Sequence, residues 1–180
     1  GANAANITIT GTGSSLGTTN ADGVLLNNAS FTFTTVDGDI TIDGTEGAGT
    51  NSGAFEIFSS SVLGSATTAG TITITGTGEV GAVGTIQGSG SLVFRPATTS
   101  DTLGIGTTAT GSLLVQDTIV NNLADGFSDI TFGYATGTGH VDVETAAFTD
   151  PVTIQSYGNG GTIDVDGDLS TNGSNALNLY

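Results

Sequence analysis

Asn6-Ile-Thr-Ile-Thr-Gly-Thr-Gly13, Asp39-Ile-Thr-Ile-Asp-Gly-Thr-Glu46 and Thr71-Ile-Thr-Ile-Thr-Gly-Thr-Gly78 are near-copies of one octapeptide. In each, isoleucine alternates with Thr or Asp, so the apolar side chains face one side of a short strand and the polar ones the other. The lead residues Ile7, Ile40 and Ile72 recur with a period of about 33 residues. Strands this short cannot hold a sheet alone. Repeated at a fixed period, they mark a solenoid, in which each coil buries its apolar residues against its neighbours. Leu103 and Ile105 fall where a fourth copy is due. The last third carries a finer beat: Ile130, Val141, Val152 and Ile163 are 11 apart, and three such steps again make 33. Gly137-Thr-Gly139, Gly158-Asn-Gly160-Gly161 and Asp166-Gly167 supply the turns between them.

The expected fold is all-β: a right-handed parallel β-helix (β-solenoid) of about 33 residues and three short strands per coil, with residues 1–180 as one domain. The hand follows from the strong preference of parallel crossovers. About five and a half coils at roughly 4.8 Å each give a body near 26 Å long. Val24–Leu26 and Phe31–Phe33 complete the first coil, Phe55–Ile57 and Val62–Leu63 the second. Val83 or Ile86, then Leu92–Phe94, complete the third. A two-strand coil of two beats is the competing arrangement for the C-terminal part, and the spacing of the first copies argues against it. Leu113–Phe127 is the best helical stretch, with one turn expected over Val120–Gly126. The inner stack is read as Ile7, Ile9, Phe31, Phe33, Ile40, Ile42, Phe55, Ile57, Ile72, Ile74, Phe94, Ile130, Phe132, Phe148, Ile154, Ile163 and Val165.

Composition narrows the function classes. The 180 residues include 30 Gly, and only 10% are charged. Seventeen Asp and Glu face a single Arg95 and no Lys, for a net charge of −16. Such a surface repels nucleic-acid phosphates and anionic membranes, and favours cations or cationic partners. No apolar run reaches membrane-spanning length. With no Cys, disulfides and thiolate metal sites are excluded. The chain opens with Gly1, carries no Met and shows no signal peptide, and reads as a piece of something longer.

The Ile-Thr-Ile-Thr-Gly-Thr-Gly units, the linker Asp22-Gly-Val-Leu-Leu-Asn-Asn28, and the run from Phe127-Ser-Asp-Ile-Thr-Phe-Gly133 to Phe148-Thr-Asp-Pro-Val-Thr-Ile-Gln155 resemble repeats of filamentous-haemagglutinin-like proteins and giant bacterial adhesins. The resemblance covers most of the chain through units of low complexity. It implies a right-handed β-helix acting as stalk or adhesive filament, in a secreted, extracellular or cell-surface setting. The family's amino-terminal secretion domain has no counterpart in these residues.

Parallel β-helices also carry polysaccharide-acting enzymes. Lyase chemistry needs a base beside calcium-binding acids, and Arg95, followed by Pro96, is the one cationic candidate. Glycoside hydrolysis needs two carboxylates across a sugar. Asp142 with Asp164 could be neighbours, yet no aromatic platform accompanies them, so the chain reads as no enzyme. His140 stands alone at a turn, which does not make a transition-metal site. Calcium is the one cofactor with candidate ligands: Asp164, Asp166 and Asp168 at alternate positions, and a second patch of Asp37, Asp39 and Asp43. The first departs from an EF-hand loop, with Leu169 where Gly and Asn175 where an acid belong. Thr8, Thr41 and Thr73 should stack in one outward column, and Thr10, Asp43 and Thr75 in the next. The leading expectation is a structural segment of a bacterial surface fibre, stacking end to end with other copies or continuing a longer chain. The alternative is an adhesin module that recognises glycan or a cationic cell-surface partner with calcium, and an enzyme ranks last.

Overall fold

Ile–Thr alternation and closely spaced glycines give short parallel strands turned at corners, and the computed structural model describes residues 5–27, 31–58, 60–81 and 84–180 in those terms. The first coil is β1 (Ile7–Thr12), β2 (Val24–Leu26) and β3 (Thr32–Phe33), and the second is β4 (Ile40–Thr45), β5 (Phe55–Ile57) and β6 (Val62–Gly64). The third holds β7 (Ile72–Gly81) and β8 (Thr85–Gln87). The fourth holds β9 (Ser91–Pro96), β10 (Leu103–Ile105), β11 (Leu113–Val115) and the single helical turn α1 (Asp117–Val120). Then come β12 (Asp129–Gly133), β13 (His140–Val143), β14 (Ala146–Phe148), β15 (Val152–Gln155), β16 (Thr162–Val165), β17 (Leu169–Thr171) and β18 (Leu177–Leu179). The chain is an all-β parallel solenoid.

The first face stacks β1, β4, the first half of β7, β9, β12, β15 and β18. Its register puts Ile7, Ile40, Ile72, Leu92, Ile130, Val152 and Leu177 in one column. Ile9, Ile42, Ile74, Phe94, Phe132, Ile154 and Leu179 form the next. The second face stacks β2, β5, the second half of β7, β11, β10, β13 and β16. The third carries β3, β6 and β8, a bridge from Ile86 to Leu123, and the pair β14–β17. Between these faces the apolar columns close a dry core, with Ile40, Ile42, Phe55, Ile57, Ile74, Phe94, Phe132, Val152 and Ile154 at zero exposure.

The structure corrects the expected period. The near-constant step holds for Ile7, Ile40 and Ile72, but the next partners are Leu92, Ile130, Val152 and Leu177. The third coil is short because β7 runs straight through the corner from the first face to the second. The fourth copy of the first-face strand is therefore β9, with Leu92 and Phe94, while Leu103 and Ile105 lie on the second face. Toward the C-terminus two steps of the finer beat, not three, close a coil: Ile130 pairs with Val152 and Val141 with Ile163. These coils have the two-beat period of the competing arrangement but keep a third strand, β14 or β17, squeezed in soon after the second. Val83 lies outside the described residues, and Ile86 supplies the strand expected there. The helical turn forms over Asp117–Val120, earlier than expected, and Leu113–Val115 is strand. Phe31 and Val165 leave the inner stack, at 39% and 40% exposure. Val165 does so on β16, which among the described residues pairs on one side only, with β13.

One step runs backwards. β11 lies between β7 and β10 although it follows β10 in sequence. Parallel neighbours normally need a long crossover, usually a helix; here the short stretch 106–112 makes the return. Gly106 turns the chain at φ +106°, a conformation side chains disfavour. Asp142 holds the return in place: its Oδ2 accepts hydrogen bonds from the Thr110 amide at 2.7 Å and the Thr110 hydroxyl at 2.9 Å. Asp142 pairs in register with Asp164 as expected, but it is buried beneath this return rather than outward in solvent. Replacing Asp142 with alanine removes two charge-assisted hydrogen bonds, and urea unfolding should show a loss of about 2–3 kcal/mol.

Candidate functional site

Parallel register turns the three octapeptides into an outward grid on the first face. Thr8, Thr41 and Thr73 stack in one column, Thr10, Asp43 and Thr75 in the second, and Thr12, Thr45 and Thr77 in a third. Storeys are spaced by roughly 4.8 Å and alternate residues along each strand by about 6.7 Å. Above this grid the second column continues into Arg95, which pairs with Thr75. The Arg95 guanidinium sits 5.2 Å from the centre of the Tyr134 ring, and the Tyr134 hydroxyl donates to the Pro96 carbonyl at 3.0 Å. Burial pushes the Tyr134 phenol up, with the Arg95 charge opposing it. The one Arg is thus laid against an aromatic face.

The acids named as calcium candidates are not brought together. Asp164 and its neighbours Asp166 and Asp168 are exposed at and after the last second-face strand. The Asp164 carboxylate is 3.8 Å from His140 Nε2, whose other ring nitrogen contacts the Thr162 hydroxyl at 2.8 Å. Asp39 serves the backbone: its Oδ1 accepts from the Thr71 amide at 2.8 Å, and its own amide donates to Asn6 Oδ1 at 2.9 Å. Asn6 and Asp39 therefore tie the starts of the first three first-face strands. Asp37 is exposed on the preceding turn, and Asp43 sits in the centre of the threonine grid. Among the described residues no three acids or histidines converge as a metal would require.

A different acidic column, not singled out from sequence, runs up the corner between the first and second faces. Asp22 Oδ1 accepts from the Gly53 amide at 3.0 Å, and Glu56 folds back over Gly53, its Oε1 3.1 Å from where a Cβ would stand. One storey on, Glu46 Oε2 accepts from the Glu79 amide at 3.3 Å, and the Gln116 amide donates to Glu79 Oε1. Burial, then the charges of Asp22, Glu79 and Glu46, lift the Glu56 carboxyl to about 7, and burial and Glu46 lift Glu79 as well. The alternation in Phe55-Glu-Ile57 marks Glu56 as outward, but only the register between coils reveals its like-charged neighbours.

A pH dependence follows. The folded chain binds this proton more tightly than the unfolded chain does, so the contribution is complete below about 4.5 and is lost as pH rises to about 7. Glu56→Gln should flatten that slope and, at pH 8, raise stability by about 1 kcal/mol once solvent screening is allowed for. Urea unfolding of both proteins at pH 5 and pH 8 checks it.

The end storeys are the other distinctive surface. Among the described residues β1, β2 and β3 pair on one side only, as do β16, β17 and β18. The upper end leaves Val165, Leu177, Leu179 and Tyr180 exposed, with Tyr180 beside Tyr157 at 6.1 Å. At the lower end Ile7, Ile9 and Phe33 are half-buried. A shallow groove on the third face near the upper end is lined by Phe148, Thr149, Ser170, Thr171 and Asn172. The chain matches no protein-family model, no curated protein and no solved structure.

Proposed function

We propose that the chain is a structural section of a secreted bacterial surface fibre, a right-handed solenoid whose coils stack end to end into a stiff rod. What carries the reading is the continuity of the first-face columns to both ends. The residues that would be covered by a further storey, Leu177 and Leu179 above and Ile7 and Ile9 below, occupy the same columns that bury their internal counterparts. Open parallel edges with apolar side chains in register are templates for strand addition. A further coil, from the same chain or from another copy, would extend the dry columns without a change of geometry. The mechanism is then mechanical: every storey is held by its neighbours, and length comes from repetition. The acidic outer surface keeps such rods from clumping sideways, because like charges repel at contact distance.

Negative-stain microscopy of concentrated protein tests this. Straight rods of constant width and varied length are expected, and Leu177→Lys with Leu179→Lys should hold the particles at single-unit length. Dispersed single units for both proteins at every concentration would count against the reading.

A further inference from the structure

One buried acid has no place in the apolar columns or in the acidic corner. Asp150, 3% exposed, lies in the turn between β14 and β15. Its Oδ1 accepts at 2.9 Å from the amide of Gly126, in the turn one coil below. Its Oδ2 is buried and meets no donor among the described residues. One carboxyl oxygen is thus held and the other is free. Burial pushes this carboxyl up from the ordinary aspartate range. The amides of Gly126 and Phe127 oppose that in part, and the charge of Asp125 adds to it. The side chain therefore keeps a proton at a pH where an exposed aspartate has lost it.

The residue that follows gives this proton something to do. Of the two prolines, Pro96 follows Arg95 and Pro151 follows Asp150. At other aspartates the next residue's amide nitrogen can attack the side chain, closing a cyclic imide without cutting the chain. Proline has no N–H, so that route is closed at Asp150. What remains is attack by the carboxyl on its own main-chain carbonyl, a five-membered ring closure that covalent geometry keeps within reach. We propose that the chain cuts itself at the Asp150–Pro151 bond, with the Asp150 carboxyl as both nucleophile and acid. Oδ2 attacks the main-chain carbonyl carbon, a C–O bond forms, and the C–N bond to Pro151 breaks. The electron pair of that bond stays on the proline nitrogen, which takes the carboxyl proton and leaves as a secondary amine. Water then opens the cyclic anhydride and leaves Asp150 with both carboxyls free. The sum is hydrolysis of one peptide bond by one water, with nothing oxidised or reduced. Oδ1, held by Gly126, stays as the carbonyl oxygen of the ring, and the unheld Oδ2 is the one that moves.

The cut falls just before the uppermost strands. β15 pairs with β12, β16 with β13 and β17 with β14, and Val152 and Ile154 have no exposed surface. The piece 151–180 thus stays seated as a separate top coil, and the cut shows only after denaturation.

The test is incubation of the intact chain at pH 5 and at pH 8, read by mass spectrometry under denaturing conditions. Pieces ending at Asp150 and beginning at Pro151 should accumulate at pH 5. Their formation should slow by about tenfold for each pH unit above the carboxyl's titration. The fold keeps the proton on Asp150, so at pH 5 the folded chain should be cut at least about threefold faster than the same chain in urea. Asp150→Asn and Pro151→Ala should each stay intact over the same time, and either one suffices if it keeps the wild-type circular dichroism. No cut at pH 5, or a cut as fast in urea, would overturn the proposal, because the bond would then have only the ordinary lability of its type. A cut that persists in Pro151→Ala defeats it too, since a contaminating protease would be responsible.

Discussion

Phe132→Ala is expected to cost about 3–5 kcal/mol, the largest loss of any single side-chain truncation in this chain. Phe132 has no exposed surface and sits mid-column, between Phe94 on one storey and Ile154 on the next. Its ring stacks on Phe94 at 5.1 Å and 10°, and meets Phe148 from the third face at 5.6 Å and 58°. Removing the ring therefore opens a cavity that touches two faces and two storeys at once. The main chain around it is fixed by parallel pairing on both sides, so collapse into the space is limited. Denaturant unfolding followed by far-ultraviolet circular dichroism measures the loss. Leu16→Ala, at a residue 90% exposed, should stay within about 0.5 kcal/mol. Equal effects from the two substitutions would mean that the columns are not the core.

Gly44→Ala should cost about 3 kcal/mol although it adds one carbon. Gly11, Gly44 and Gly76 stack at the corner where the first face ends. A Cβ on Gly44 would overlap the Ala54 carbonyl oxygen. That oxygen is not free to move, because it accepts from the Val24 amide at 3.0 Å, while the Ala54 amide donates to the Glu79 carbonyl at 2.7 Å. The obstacle is hydrogen-bonded backbone linking three coils, not a flexible side chain. Thr45→Ala, one position on and exposed, should be nearly neutral by the same unfolding measurement.

These two sites show what the sequence displays and what it hides. Near-identical octapeptides have one way to stack, so spacing alone places Ile7, Ile40 and Ile72, with their threonines, in the columns they occupy. The finer beat is equally real but ambiguous. Alternation says that Ile130, Val141 and Val152 point inward, and does not say which share a face. That depends on how much chain each corner uses, and the third-face strand β14 begins soon after Val143. Leu103 departs from its expected face for a related reason: β7 continues past its octapeptide through the corner, so the coil closes early at Leu92. Asp142 alternates correctly with Val141 and Val143, yet the return over 106–112 covers it, and nothing local announces that return. The acids that matter electrostatically, Asp22, Glu46, Glu56 and Glu79, come from three successive coils. Their signal lies in the register, which the sequence carries only where its repeats are faithful.

Engineered cysteine pairs test that register most directly, because the chain has no cysteine of its own. Adjacent parallel strands place paired Cα atoms within the roughly 4.4–6.8 Å that a disulfide spans. Thr131 and Thr153 are partners on the first face. Under mild oxidation Thr131→Cys with Thr153→Cys should therefore close a disulfide in the folded protein, detected by intact mass and faster gel migration. Thr131→Cys with Asp164→Cys, spaced as a uniform coil of three beats would require, should remain reduced. Closure of the second pair and not the first would contradict the stacking described here.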